Sequence, residues 1–306
     1  MWRRGIVLAV LAVLLGLLML LHSDVPNSFG NLGSLLETFL PWLGLGAVVL
    51  LVLALLRRSA TALVALVLPV VVWANLFGGQ LTDKAGTGGD LTVATHNVDA
   101  ANPDPAGTAK DLVASGADVV ALEEVTAQAL PAYRTGLAAK YPHHVVVGTV
   151  GLWSRYPLTD EHPVDLGIGW KRALRATVTA PGGRQVGVYV AHLPSVRVKV
   201  DAGFTANQRD ESAAALGRAI SHDPLHRVVL LGDLNGTMND RSLAPVTSQM
   251  RSAQGAAGHG FGFSWPAKLP MARIDQIMTR GVDPVSAWSL AATGSDHLPV
   301  AASVRL

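Results

Sequence analysis

Three long segments without a charged side chain dominate the start of the chain, and they constrain its fold more than any other feature. They are residues 5–21, 39–56 and 60–78. At about 1.5 Å of rise per residue, an α-helix over each segment approaches the roughly 30 Å hydrocarbon core of a bilayer. The sequence therefore predicts a membrane anchor of three transmembrane helices over residues 1–78.

The first segment has an alternative interpretation as the apolar part of a secretory signal peptide. Arg3 and Arg4 precede it, as basic residues precede the apolar core of such peptides. No small-x-small cleavage site follows, and two further apolar segments do. We therefore expect the segment to stay in the protein as a membrane span.

The distribution of basic residues predicts the orientation of the anchor. Arg3 and Arg4 precede the first segment, and Arg57 and Arg58 lie between the second and third, whereas the loop 22–38 has neither Lys nor Arg. Cytoplasmic loops are enriched in these residues. We expect a multi-pass protein of the cell membrane with a cytoplasmic N-terminus and an extracytoplasmic C-terminal part.

Beyond a Gly-rich linker at 79–89, residues 90–306 are numerous enough for one sizeable core. The chain has no cysteine, which excludes disulfides and thiolate metal sites. The whole chain has 24 Lys and Arg against 22 Asp and Glu, but the region 90–306 has 19 of each. A neutral domain argues against a nucleic-acid partner, because proteins that bind many phosphates usually present a basic face.

Strand-like and helical stretches are mixed along residues 90–306, which predicts an α/β domain of mixed sheets with helices outside. The predicted strands are 91–95, 118–122, 144–150, 174–179, 185–191, 227–231, 274–278 and 300–304. The predicted helices are 105–116, 126–140, 206–221 and 241–251.

Polar side chains lie at the ends of these strands, where side chains from several strands converge on one cleft. Glu124 and Asn97 offer oxygen ligands that suit Mg²⁺, with Mn²⁺ as the alternative, better than Zn²⁺. Asp233 is placed to take a proton from water. The residues at strand ends are Asn97, Glu124, His192, Asp233, Asn235, Asp296 and His297.

Seven short motifs occur in an order that resembles the endonuclease/exonuclease/phosphatase superfamily, which includes deoxyribonucleases, sphingomyelinases and inositol-polyphosphate phosphatases. They are HNV, ALEEV, GLWSRYPL, AHLP, GDLN, RIDQI and SDHLPV. The resemblance covers nearly all of residues 90–306. It implies a four-layered α/β sandwich of two mixed β-sheets flanked by helices, and hydrolysis of a phosphoric ester.

The resemblance also implies roles for individual residues. Asn97 and Glu124 would hold the metal, and His192 would donate a hydrogen bond to the scissile phosphate. Asp233 would position or deprotonate the attacking water, and Asn235 would bind a phosphoryl oxygen.

Three further roles concern a histidine near the end of the chain. Asp275 would orient a catalytic histidine or the phosphate. Asp296 would hold His297, which would contact the phosphate in the transition state. Glu123 departs from the family pattern, which often has Gln at this position, and we expect it to add negative charge to the site. Gln276 is a second departure.

The anchor narrows the resemblance to membrane proteins associated with teicoplanin-type glycopeptide resistance. The implied substrate is a lipid-linked phosphate or diphosphate of the cell envelope, and the membrane is the second partner. A surface nuclease and a non-catalytic binding module are the alternatives.

Each site residue also has an ordinary structural interpretation, such as a turn cap for Asp233 or a structural ion pair for Asp275. Arg172 and Arg175 lie three apart on a predicted strand, so they face opposite sides and only one reaches the cleft. The sequence does not show which of them does.

Overall fold

The computed structural model describes residues 5–199 and 203–306, so Arg3 and Arg4 lie outside the described residues. The chain forms two compact units. The first comprises Met1–Thr82 with the short segments Val198–Phe204 and Asn239–Arg241. The second comprises Asp83–Arg197, Thr205–Met238 and Ser242–Leu306.

The first unit is helical and exposes apolar side chains. Small residues such as Ala12, Ala47 and Ala62 are buried between its helices, as is common where membrane helices pack closely. Every described large hydrophobic side chain that is exposed belongs to residues 6–81, except Trp170, Val198 and Leu269. The helices are α1 (Ile6–Leu20), α2 (Leu32–Thr38), α3 (Leu43–Leu56), α4 (Ala60–Ala65) and α5 (Val67–Phe77).

Within the described residues, one continuous helical stretch is long and apolar enough to cross a bilayer, Ala60–Gln80 with 21 residues. A second candidate is the pair Leu32–Thr38 and Leu40–Leu56, which is bent by 67°. Helix α1 has 15 residues, or about 22 Å, and falls short of the hydrocarbon core. The structure thus contains one or two helices of spanning length where the sequence predicts three spans.

The second unit contains two six-stranded sheets. The strands of the chain are β1 (Leu91–Asn97), β2 (Val119–Glu123), β3 (His143–Val147), β4 (Val150–Ser154), β5 (Leu158–Pro163), β6 (Ala173–Ala180), β7 (Arg184–Ala191), β8 (Val198–Lys199), β9 (Gly203–Phe204), β10 (Val228–Asp233), β11 (Arg251–Ser252), β12 (Asp275–Arg280), β13 (Asp283–Ser289) and β14 (Val300–Arg305). In the first sheet the strand order is β13-β14-β1-β2-β4-β3, and in the second it is β11-β12-β10-β7-β6-β5. Each sheet has one parallel pair, β1 with β2 and β7 with β10, and antiparallel neighbours otherwise. Strands β8 and β9 pair in the first unit.

Side chains that alternate between the two faces of each strand produce the layers. The helices of this unit are α6 (Pro105–Ala114), α7 (Leu130–Leu137), α8 (Asn207–Ser221), α9 (Ala244–Thr247) and α10 (Ala253–Ala257). On β10, Val229 and Leu231 pack between the sheets, whereas Val228 and Leu230 pack beneath α8. Helices α6 and α7 cover the outer face of the first sheet. The predicted α/β sandwich of two mixed sheets flanked by helices is confirmed.

Local differences from the predicted elements arise at turns. The run predicted as one strand over 144–150 is a hairpin, because Gly148 adopts a φ of 59° and reverses the chain between β3 and β4. In place of the helix predicted over 241–251, the chain forms a 3₁₀ turn at Arg241–Leu243 followed by the short α9.

Candidate active site

The carboxyl ends of the two parallel strand pairs supply most of the site. Asn97 is paired with Glu123 at the ends of β1 and β2, so Glu124 follows directly beside it. The Asn97 Nδ2 donates to Glu124 Oε1 at 3.2 Å and to Asp233 Oδ2 at 3.0 Å. Since Asp233 ends β10 in the other sheet, the Asn97 amide joins the two sheets at one point.

The two adjacent carboxyl groups of Glu123 and Glu124 have different environments. Glu123 is fully buried, accepts a hydrogen bond from Thr95 Oγ1 at 2.8 Å and has no partner at Oε2. Burial raises its pKa well above the usual range and so favours the neutral acid. Glu124 has a φ of 61°, and its side chain is 29% exposed at the mouth of the site. Burial thus opposes the extra negative charge that Glu123 was expected to add.

His192 and Asp233 lie together because β7 and β10 run parallel. The His192 Nε2 is 3.6 Å from Asp233 Oδ2 and 3.7 Å from Glu124 Oε1. A side chain at Gly232 would put its Cβ 1.9 Å from the carbonyl oxygen of Ala191, so glycine permits this close approach. Burial, then the charges of Arg172 and His297, lower the pKa of His192 well below its usual value. Its imidazole is neutral.

Asn235 lies two residues beyond Asp233 in the left-handed region, with a φ of 47°. Its backbone N donates to Asp233 Oδ1 at 2.8 Å, and its Nδ2 donates to Leu193 O at 2.9 Å. The same Nδ2 is 3.3 Å from Asp233 Oδ2. These bonds hold the Asp233 carboxylate and the Asn235 amide in one turn at the floor of the site.

Asp275 orients His297. The two residues are buried, and His297 Nδ1 donates to Asp275 Oδ2 at 2.9 Å. Asp275 is paired with Asp233 across β12 and β10, so His297 Nε2 lies 3.9 Å from Asp233 Oδ2. Burial opposes the charged form of His297, but Asp275, Asp233 and Asp296 outweigh it and raise the pKa of His297 to about 10. The site thus contains an imidazolium with its Nε2 directed at Asp233.

The expectation that Asp296 holds His297 is corrected. The Asp296 side chain is 59% exposed, its Oδ1 lies 3.8 Å from His297 Nε2, and its Oδ2 accepts a hydrogen bond from Trp265 Nε1 at 3.3 Å. Asp275 has the first of its two predicted roles, orienting the histidine, because it begins β12 in the interior and hydrogen-bonds to the imidazole. Ser295 positions His297 from the other side, since its Oγ accepts from His297 N and donates to Asn97 O.

Two groups of side chains have the composition of a cation site. In the first, Asp233, Asp275 and His297 offer atoms within 4.8 Å of one another, but the hydrogen bond from His297 Nδ1 and the positive charge of that imidazole make it a poor ligand set. In the second, the ligands would be the oxygens of Glu124 and Asp233, which suit Mg²⁺ or Mn²⁺. Asn97 would add its Oδ1 once its amide turns over, because in this structure that oxygen accepts from Asp99 N at 3.1 Å. Burial raises the pKa of Asp233 to about 7 despite the opposing effect of His297. A divalent cation would offset that cost of ionising it.

Arg172 is a site residue that the sequence interpretation did not assign. It is buried with its guanidinium against the ring nitrogens of His192. Arg175 faces the other way and bonds to Asp160 and Asp223, so only one of the two arginines reaches the cleft, as predicted. The sequence alone could not assign Arg172 to the site, because it does not show that Arg172 lies beside His192 on the neighbouring strand.

Comparison with known proteins places this geometry in a family. The family model described as "Endonuclease/Exonuclease/phosphatase family" matches residues 94–297, whereas no curated protein matches the chain. Similar solved structures include D. rerio TDP2 complexed with a single-strand DNA product, with 19% identity and a TM-score of 0.59 over 71% of this chain and 99% of that chain. A mannosyl-6-phosphatase of Bacteroides thetaiotaomicron has 16% identity and a TM-score of 0.57 over 71% of this chain and 100% of that chain. Since the family model spans about two thirds of its residues, the chain belongs to the endonuclease/exonuclease/phosphatase family.

Proposed function

We propose that this protein is a membrane-anchored, metal-dependent phosphohydrolase or phosphodiesterase whose catalytic domain is extracytoplasmic. The observation that supports hydrolysis most strongly is the Asn97 amide, which contacts carboxylates from both sheets. His297 directs its Nε2 at one of these, Asp233. Oxygen ligands, a proton acceptor and an imidazolium are thus grouped around a single point.

The residues divide the chemistry between them. Asn97 and Glu124, with Asp233 beside them, would hold Mg²⁺ or Mn²⁺. The ion, when bound, neutralises charge on a phosphoryl oxygen and stabilises the leaving oxygen. Asp233 accepts a proton from the attacking water. His297 donates a hydrogen bond from Nε2 to the phosphoryl oxygen on which charge develops, and Asp275 keeps it charged and oriented.

The proposed substrate is a lipid-linked phosphate or diphosphate of the cell envelope. Exposed apolar side chains are concentrated in residues 6–81, as expected of helices that contact lipid, and the equal numbers of acidic and basic residues in 90–306 disfavour a long polynucleotide. The link to teicoplanin-type resistance is proposed on the sequence resemblance alone.

The test is hydrolysis by the full-length protein in detergent with Mg²⁺, on prenyl diphosphates and phospholipids. We expect release of phosphate or a head group, abolished by a chelator and reduced about 10²- to 10⁴-fold in Asp233→Asn, which removes the proton acceptor. Asp283→Asn, at an exposed aspartate of β13, is the matched control. Cleavage of DNA with no cleavage of any lipid substrate would contradict the proposal.

A nuclease is the second candidate, because the similar D. rerio structure is complexed with a single-strand DNA product. This candidate predicts plasmid nicking that disappears in Asp233→Asn. The third, a non-catalytic binding module, predicts that the same substitution leaves the cellular phenotype unchanged.

A further inference from the structure

Arg172 is a cation in the active site, and no carboxylate of the described residues lies within ion-pair distance of it. Asp233 and Glu124 attract it only at longer range. The residue is 8% exposed, and its Nε has no hydrogen-bond partner in the described part of the chain. Arg175, three residues later, provides the contrast, because its guanidinium is bonded to both Asp160 and Asp223. A buried guanidinium without a paired anion is unfavourable, so its persistence at the site points to a ligand.

The backbone holds Arg172 in a defined place. Its carbonyl oxygen accepts a hydrogen bond from His192 N at 2.9 Å, at the start of the β6 and β7 pairing. The preceding residue, Lys171, packs against the hairpin turn at Gly148, where a Cβ would come within 2.0 Å of the Lys171 carbonyl oxygen. The main chain of Arg172 is therefore held at the site, and its buried guanidinium lies against the imidazole of His192.

Trp170 covers the guanidinium from the solvent side. The Cζ of Arg172 lies 4.7 Å from the centroid of the Trp170 ring, which is a cation–π distance. The Trp170 side chain is nevertheless 55% exposed. One face of the indole holds the arginine, and a large part of the ring remains accessible to a substrate.

On the basis of the proposed function, we propose that Arg172 and Trp170 form a substrate subsite for a phosphoester that has an apolar group next to its phosphate. Arg172 binds two non-bridging oxygens of the phosphoryl group, because a planar guanidinium fits phosphate with two parallel hydrogen bonds. Trp170 positions the guanidinium and packs against the first apolar atoms of the esterified group. The subsite thus adds a counter-charge for the substrate that Asn97, Asn235 and His192 do not supply.

Binding of inorganic phosphate to the full-length protein in detergent tests the role of Arg172 without any turnover. Hydrogen bonds to charged groups contribute about 1.5–3 kcal/mol, so we expect Arg172→Met to raise the phosphate Kd about 10- to 100-fold. Arg172→Lys, which keeps the charge but loses the planar fork, should lie between this variant and wild type. Lys171→Met, at the exposed neighbouring residue, should bind phosphate as wild type does.

An unchanged phosphate Kd in Arg172→Met would overturn the proposal. If that variant does not fold, Arg172→Lys decides, since a wild-type phosphate Kd in it would refute two-point binding by the guanidinium. Failure of the wild type to cleave any phosphoester would instead contradict the proposed function, and the phosphate measurement would still decide the role of Arg172.

Trp170→Ala tests the apolar part of the subsite at a half-exposed position where folding is tolerant. We expect KM to rise several-fold for a prenyl phosphate, with kcat within about twofold of wild type, because packing against the substrate is uniform binding. KM for a glycerol phosphate should change less, by the part that reflects looser positioning of Arg172. Equal changes in KM for the two substrates, or no change for either, would overturn the assignment to Trp170.

Discussion

The hydrogen bond between Asp275 and His297 permits a quantitative prediction. The pKa of His297 is raised from 6.5 to about 10, and Asp275 contributes the largest part of the favourable interaction. At 1.36 kcal/mol per pKa unit, the folded site favours the imidazolium by an amount on the order of 5 kcal/mol. In Asp275→Asn the amide keeps a hydrogen-bonding group of similar shape but removes the charge. We expect the pKa of His297 to fall by at least about 2 units, towards the range in which it titrates near neutrality.

The sign of this shift determines the pH dependence of activity. In wild type, His297 stays protonated up to a pH of about 10, so its hydrogen bond to the phosphoryl oxygen is available throughout the neutral range. In Asp275→Asn the imidazole loses its proton as the pH rises through the lowered pKa, and its contribution as a charged donor is lost there. We expect the loss of kcat to grow between pH 6 and 9, reaching about 10²-fold or more at the alkaline end.

Two assays on the full-length protein in detergent check this prediction. One is the NMR titration of the His297 Cε1 proton, identified by its disappearance in His297→Gln, and the other is the pH profile of kcat on the best substrate. Asp283→Asn serves again as the control. A pH profile of Asp275→Asn that is parallel to that of wild type, with an unshifted His297 titration, would refute the assigned role of Asp275.

Three further predictions concern the rest of the catalytic unit. Glu123→Gln should keep activity within a few-fold of wild type, because burial already favours the neutral acid at this position. Glu124→Gln should weaken Mg²⁺ activation more than about 10-fold, which is the loss typical of removing an outer-shell partner of a metal. Equal losses in the two variants would contradict the assignment. Arg175→Met leaves the carboxylate of Asp223 buried without its partner, so we expect the free energy of unfolding in urea to fall by about 3–5 kcal/mol, and an unchanged midpoint would oppose this. Gly232→Ala should separate β7 from β10 and destabilise the unit by about 1–3 kcal/mol, with wild-type stability and activity as the contrary result.

Much of the fold of residues 90–306 was predictable, because the apolar runs of the buried strands are bounded by polar residues. The same boundaries predicted which side chains gather at the site, since carboxyl ends of parallel strands lie at one edge of a sheet. Asn97 next to Glu124, and His192 next to Asp233, follow directly from the two parallel pairs. The pattern of apolar and polar residues therefore predicted which side chains lie near one another, but not which atoms are in contact.

The choices that the sequence left open depend on geometry between strands that are distant in sequence. Asp275 and Asp296 were both predicted near a catalytic histidine, and the one that hydrogen-bonds to His297 is Asp275, 22 residues earlier, because it lies inside the sandwich whereas the Asp296 side chain is exposed. Which of Glu123 and Glu124 faces the metal site depends on the left-handed backbone of Glu124, and the alternation of apolar and polar residues does not reveal this conformation. Hydropathy likewise located the apolar segments but not the 67° bend that divides Leu32–Thr38 from Leu40–Leu56.

The central claim is that side chains from two sheets surround one divalent cation. A crystal structure of the full-length protein grown with MnCl₂, with anomalous diffraction recorded at the manganese edge, tests it most directly. We expect one strong anomalous peak about 2.0–2.3 Å from the Glu124 carboxylate, with Asn97 and Asp233 around it, and loss of that peak in Glu124→Gln. An anomalous peak elsewhere in the chain, or the same peak in Glu124→Gln, would contradict it.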